Sequence, residues 1–155
     1  MVLILLLIFV FSGCGEDSAS GDNDMVKDFI DKMYAEDWNG ATVYISPDIA
    51  ESLTAADLSR IVKDTTGAYG AFSAVNDVVE SNTQYFLDSI GVDANSVSRD
   101  IQNYDIYYAS ISFEKGDMGI FFMVDPEDHL LYGLTVCGSE SDDGYHSHGG
   151  QVHKH

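Results

Sequence analysis

Apolar positions along the chain fall into three successive patterns. Met1–Phe11 is an unbroken run of Met, Val, Leu, Ile and Phe. From Asp24 the period becomes that of a helix: Val26, Phe29, Ile30, Met33 and Tyr34 stand three and four residues apart, with Asn23 or Asp24 as the predicted cap. Trp38–Ile45 predicts a second, short helix that stops at Ser46-Pro47, because the residue before a proline is pushed out of helical geometry. Thr54 opens a third. Its hydroxyl can cap while Asp57 occupies the capping-box position, Leu58, Ile61, Val62 and Thr65 share a face, and Gly67 and Gly70 are expected to end it.

After Gly70 the pattern is that of strands, expected at Ala71–Glu80, Tyr104–Glu114, Met118–Val124 and Leu130–Cys137. The joints Lys115-Gly116-Asp117 and Asp125-Pro126-Glu127-Asp128 are short enough to force antiparallel hairpins. Residues Asn82–Asp100 interrupt the meander: Tyr85, Phe86, Leu87 and Ile90 suggest a short helix, and a polar stretch follows that reads either as a functional loop or as an insertion without a task. Helices first and strands last predict an α+β domain, with N-terminal helices packed on a curved antiparallel sheet of about four strands.

Composition narrows the function classes. The 155 residues are 45% hydrophobic, enough for one globular domain. Seven Lys and Arg against 26 Asp and Glu give a formal charge of -19, a field that repels phosphate backbones and excludes nucleic acid as a partner. The acids are scattered, without the spacing of a calcium loop, and read as a solvating surface.

The apolar run is about 16 Å long as a helix at roughly 1.5 Å per residue, half a bilayer's hydrocarbon thickness. It has the length of a signal-peptide core and ends in small residues. Phe11-Ser12-Gly13-Cys14 resembles the lipobox of prokaryotic lipoproteins, although Phe11 stands where leucine is usual and no Lys or Arg precedes the run. The resemblance implies cleavage before Cys14, diacylation of that thiol and anchoring on the extracytoplasmic face of the cell membrane. An uncleaved anchor and a simple secretion signal are the alternatives. Glu16–Asn23 has no apolar residue larger than alanine and is expected to be a mobile tether. The chain thus divides into a signal peptide (1–13), an acidic tether (14–23), one α+β domain (24–138) and a polar His-rich tail (139–155). Cys137, in an apolar strand pattern, reads as a small buried hydrophobe.

The segments Phe29–Trp38, Leu53–Leu58, Gly67–Phe72, Phe113–Gly116, Phe122–Asp125 and Leu130–Leu134 resemble the prokaryotic family called domain of unknown function 3887. Its members look like the cone fold of nuclear transport factor 2 and ketosteroid isomerase. The resemblance covers Met25 to Val136 and implies a stand-alone accessory domain, since no Gly-x-Ser-x-Gly nucleophile elbow occurs in the chain.

A cone fold has a concave sheet that can enclose a small apolar ligand, and its known enzymes place a carboxylate with a raised pKa there. Asp105 shares strand parity with Tyr107, Ala109, Ile111 and Phe113 and is the candidate general base, or else a solvated carboxylate at a strand start. Trp38, Tyr44, Tyr107 and Phe121 are candidate pocket residues, or else ordinary core. In the tail, His146, His148, His153 and His155 form two His-x-His pairs able to chelate Zn, Cu or Ni, with Asp142 or Asp143 adding oxygen; read plainly, this is a polar end or a tag. His129 reads as a turn residue. The expected function is binding without catalysis, of a small apolar ligand or of a partner protein at the membrane surface. A cone-fold enzyme using Asp105 and metal capture by the tail are the alternatives.

Overall fold

The structure, a computed structural model, describes residues 18–93, 95 and 99–137. Cys14, the signal peptide and the His-rich tail lie outside the described residues. Helix α1 spans Ser18–Tyr34, α2 Trp38–Thr42 and α3 Ala55–Tyr69. Strand β1 spans Phe72–Ser81, α4 Thr83–Ser89, a 3-10 turn Arg99–Asn103, β2 Asp105–Phe113, β3 Gly116–Val124 and β4 Leu131–Cys137. The four strands form one antiparallel sheet in the order β1-β2-β3-β4, with α1 to α3 on one face, so the expected α+β architecture is observed.

Helix α1 begins well before the cap expected at Asn23 or Asp24, which corrects the tether assigned to residues 14–23: from Ser18 onward that segment is helix, and Asp22 is buried. The composition of the segment is indeed poor in apolar groups. Tertiary hydrogen bonds to Asp22 hold it instead, as described below. At its other end α1 closes in a Schellman motif: Asp37 N–H donates to the Lys32 carbonyl at 2.9 Å, Glu36 N–H to Met33 at 3.2 Å, and Glu36 takes a φ of 59°.

Helix α2 is shorter than expected. After Thr42 the chain makes a turn over Val43 and Tyr44, and Ile45 then forms a parallel bridge with Leu131, Leu131 N–H donating to the Tyr44 carbonyl and Ser46 N–H to Leu131. Pro47 ends this lane because it has no N–H to continue it. The capping box of α3 forms as expected: Thr54 Oγ1 accepts from Asp57 N–H and the Asp57 carboxylate accepts from Thr54 N–H. Gly67 lies inside α3 rather than ending it; Gly70, at φ 83°, is the terminator.

Strand β1 carries irregularities between Phe72 and Ala74 and between Val75 and Asp77, so its half-buried residues recur at every third position instead of every second. The β2–β3 turn consists of Glu114 and Lys115, not Lys115–Asp117, which sets the register Phe113↔Gly116 through Asp105↔Val124. Tyr107, Ala109, Ile111 and Phe113 therefore share the helix-side face with Met118, Ile120, Phe122 and Val124, and all are buried. Phe29 meets Phe122 edge-on at 5.9 Å, while Tyr34 stacks on Phe72 at 4.5 Å. On the opposite face α4 builds a smaller cluster of Phe86, Leu87, Ile106 and Phe121. The helix expected around Tyr85–Ile90 is thus present as α4.

Candidate functional site

Three arrangements of side chains stand out, and they differ in how far each is already satisfied. The first is at the α1 end of the helix-side face. Asp22 is 3% exposed, and a buried carboxylate is costly unless its oxygens are hydrogen-bonded. Tyr107 Oη donates to Asp22 Oδ2 at 3.2 Å, and the His129 Nδ1–H donates to Oδ1 at 2.9 Å. The carboxylate accepts only, so it holds the imidazole proton on Nδ1. Burial, reinforced by Asp22, Asp105 and Glu80, raises the Tyr107 phenol well above its ordinary value, so it remains a donor at any physiological pH. His129 sits in the left-handed region at φ 57°. It is therefore more than a turn residue: it ties the β3–β4 turn to the first turns of α1.

Asp105 lies at the start of β2 with the face parity expected of it, half-buried beside this cluster. The cluster is a clasp. Both oxygens of Asp22 are engaged, and the space a ligand would need between α1 and the sheet is taken by Phe29, Ile30, Met33, Tyr107 and Phe122, each essentially fully buried.

The four aromatic pocket candidates do not meet. Tyr107 is core on the helix-side face. Phe121 faces the other way, pairing with Tyr108 and packing against Phe86 at 5.4 Å. This corrects its assignment to a common pocket, and the cause is the turn: a loop over Lys115–Asp117 would have put Phe121 on the same face as Tyr107, and the two-residue turn reverses that parity. Trp38 and Tyr44 are half-buried against the helix-side core. Tyr44 Oη donates to Asp28, which raises its phenol pKa.

The second arrangement is a partly open recess of about 190 Å³ between α1 and β1, lined by Asn23, Asp24, Lys27 and Val75–Val78. Asn23 Oδ1 is buried there without a hydrogen-bond partner among the described residues.

The third is the outer face of the sheet. One half is polar: Asn76 Nδ2 donates to Ser112 Oγ at 2.8 Å, and Ser112 Oγ to Asp117 Oδ1 at 2.5 Å. The other half, beside α4, is apolar and only partly covered. Tyr85 is 55% exposed and Val79 43%. Val79 stands opposite Tyr108 in the sheet, and the Tyr108 ring centre lies 5.0 Å from that of buried Phe121, itself 5.9 Å from Tyr85. Tyr108 also lies over Gly119, where a Cβ would stand 2.6 Å from the ring. Sequence reasoning missed Val79 and Tyr85 as surface groups, and Asp22 and His129 as partners; beyond α4, Val92 and Ile101 also pack against the cluster around Phe86 and Phe121.

Cys137 is half-buried rather than fully buried as expected, and that partial burial pushes its thiol up. Among the described residues no group of three or more His, Cys, Asp or Glu side chains is placed to hold a metal ion, and no helix is long and apolar enough to cross a membrane. His146, His148, His153 and His155, with the Zn, Cu or Ni site suggested for them, lie outside the described residues, as does the lipidation candidate Cys14. Comparison with family models, with curated proteins and with solved structures found no match.

Proposed function

We propose that the chain is a lipid-anchored, extracytoplasmic binding domain of the cone-fold kind, and that it engages a partner protein at the membrane surface through the outer face of its sheet. The observation that carries this reading is the exposure of two large apolar side chains, Tyr85 and Val79, on the outer face, linked beneath the surface by Tyr108 and buried Phe121, on a molecule of formal charge -19. Contiguous apolar surface beside a polar rim is the usual composition of a protein-binding patch. Helices that precede an antiparallel meander support the resemblance to domain of unknown function 3887 and its cone-like relatives.

The start of α1 adds a distance. With Cys14 acylated, Gly15–Asp17 would be the entire link to Ser18, about 14 Å at most for a fully extended chain. The domain would work next to the headgroups, within reach of another membrane-bound protein and unable to search far from the bilayer. Binding of an apolar molecule between helices and sheet has less support, because that interior is occupied by side chains.

Two measurements test the proposal. Intact mass of the mature protein is expected to show loss of residues 1–13 and acyl chains on Cys14. A photo-crosslinking residue at position 85, in cells, is expected to give a discrete adduct with a protein, while the same residue at Arg60 on α3 gives none. Adducts of equal yield from both positions would overturn the outer-face assignment.

A further inference from the structure

The two edges of the sheet are protected to different degrees. Edge strands expose unpaired N–H and C=O groups and are normally blunted by charge, proline or bulges. Strand β1 has two irregularities and carries Asp77 and Glu80. Strand β4, Leu-Tyr-Gly-Leu-Thr-Val-Cys, has no charge and no proline. Its irregularity opposite Met123 and Val124 falls near its start, leaving Gly133–Cys137 in regular register with β3.

The chain itself shows that the lane outside β4 accepts a strand. Tyr44–Ser46 lies in it, parallel, with Leu131 N–H donating to Tyr44 at 2.8 Å and Ser46 N–H to Leu131 at 2.9 Å. Pro47 then turns the chain away. Beyond Leu131, no backbone hydrogen bond among the described residues reaches the outer edge of β4. On the helix-side face this lane, which no described residue pairs with beyond Leu131, is flanked by half-buried Leu134 and Val136, and on the other by Thr135 and Cys137. At its head stands Asp48, whose carboxylate accepts from Tyr132 Oη at 2.9 Å. Val43, 66% exposed, lies just before the parallel segment.

We infer that Gly133–Cys137 is a strand-addition site for an extended, β-branched segment of a partner protein that carries Lys or Arg at the end facing Asp48. Main-chain pairing would supply affinity, and alternate side chains resting beside Leu134 and Val136 would supply selection. The basic flank follows from charge complementarity: the full chain, at -19, and Asp48 disfavour an acidic segment and disfavour a second copy of the same chain. This inference rests on the partner-binding reading above and names a second contact for the same partner.

Amide hydrogen exchange of the full chain, with the capped peptide Lys-Val-Thr-Val-Thr-Val-Lys as probe, tests it. In the free protein the outward amides of residues 133–137 are expected to exchange fast at every protein concentration. With the peptide at ten times its Kd they should slow by about tenfold, as mass action requires. A Glu-flanked peptide should bind several-fold more weakly, a difference reduced in Asp48→Asn, and a peptide N-methylated at alternate positions should not bind. Protection already present in the dilute free chain would mean that the chain's own residues 138–155 fill the lane; protection that grows with protein concentration would mean a second copy; peptide binding without slowing at β4 would place the site elsewhere. Each of these overturns the inference, whereas the adduct from position 85 would survive all three and keep the broader reading standing.

Discussion

The two faces of the sheet are built from the same strands, yet they do different work. On the helix-side face three helices close over Tyr107, Ile111, Ile120 and Phe122, and Asp22 fastens the start of α1 to Tyr107 and to His129. On the outer face α4, with Val92 and Ile101 from the segment after it, covers one half, and beside it lie a polar cluster and the exposed Tyr85 and Val79. Burial on the first face is complete enough to account for folding. Exposure of Tyr85 and Val79 on the second contributes nothing to folding, and that is the physical reason for assigning function there.

The largest expected effect tests that contrast directly. Phe122→Ala removes a fully buried ring from the helix-side core and is expected to cost about 3–5 kcal/mol in urea unfolding, against about 1 kcal/mol for Tyr85→Ala on the outer face, where only the edge-on contact with Phe121 is lost. Comparable losses at both positions would mean that the outer strip is structural. Next comes the clasp. Asp22→Ala leaves the buried Tyr107 hydroxyl without its acceptor and should cost about 1–3 kcal/mol, accompanied by faster amide exchange in the first turns of α1. An unchanged exchange rate there would show that α1 is held by its apolar face alone.

Gly119→Ala probes the outer face where it is tight. The added methyl displaces the Tyr108 ring, with an expected loss of about 1–2 kcal/mol and a disturbed link between Val79 and Tyr85. Thr54→Ala, remote from either face, should lower stability by about 1 kcal/mol through loss of the α3 cap. The smallest effects are in the pH profile. Hydrogen bonds from Thr54 hold Asp57 below the ordinary aspartate range, so its contribution is present above about pH 4 and is lost as pH falls through the lower folded value. Tyr107 is shifted the other way. Its contribution is full below about pH 10 and declines as pH rises towards the folded value, so Tyr107→Phe should shallow the alkaline arm of the stability curve relative to the wild type.

Local signals in the sequence carried much of the architecture. The Thr54 and Asp57 pair, the helical spacing of Val26 to Met33, the Tyr85–Ile90 helix and three of the four strands needed only neighbouring residues to be read. What escaped was non-local. The start of α1 depends on groups 85 and 107 residues away from Asp22. The side on which Phe121 sits depends on where a turn falls, and choosing Lys115–Asp117 over Glu114-Lys115 moved it to the wrong face. Strand β1 hid its period because bulges at Ser73 and Asn76 replace alternation by threes. Among the candidate site residues, Asp105 was placed on the expected face, but the exposure that singles out Val79 and Tyr85 arises from how little α4 covers, which no spacing along the chain reports.

Oxidative footprinting of the native protein, in its own membranes and after purification in detergent, compares the faces in one experiment. The account predicts that labelling of Tyr85 and Val79 is suppressed several-fold in membranes while labelling around Arg60 on α3 is unchanged. Equal labelling of Tyr85 in both preparations, or suppression centred on α3, would contradict it.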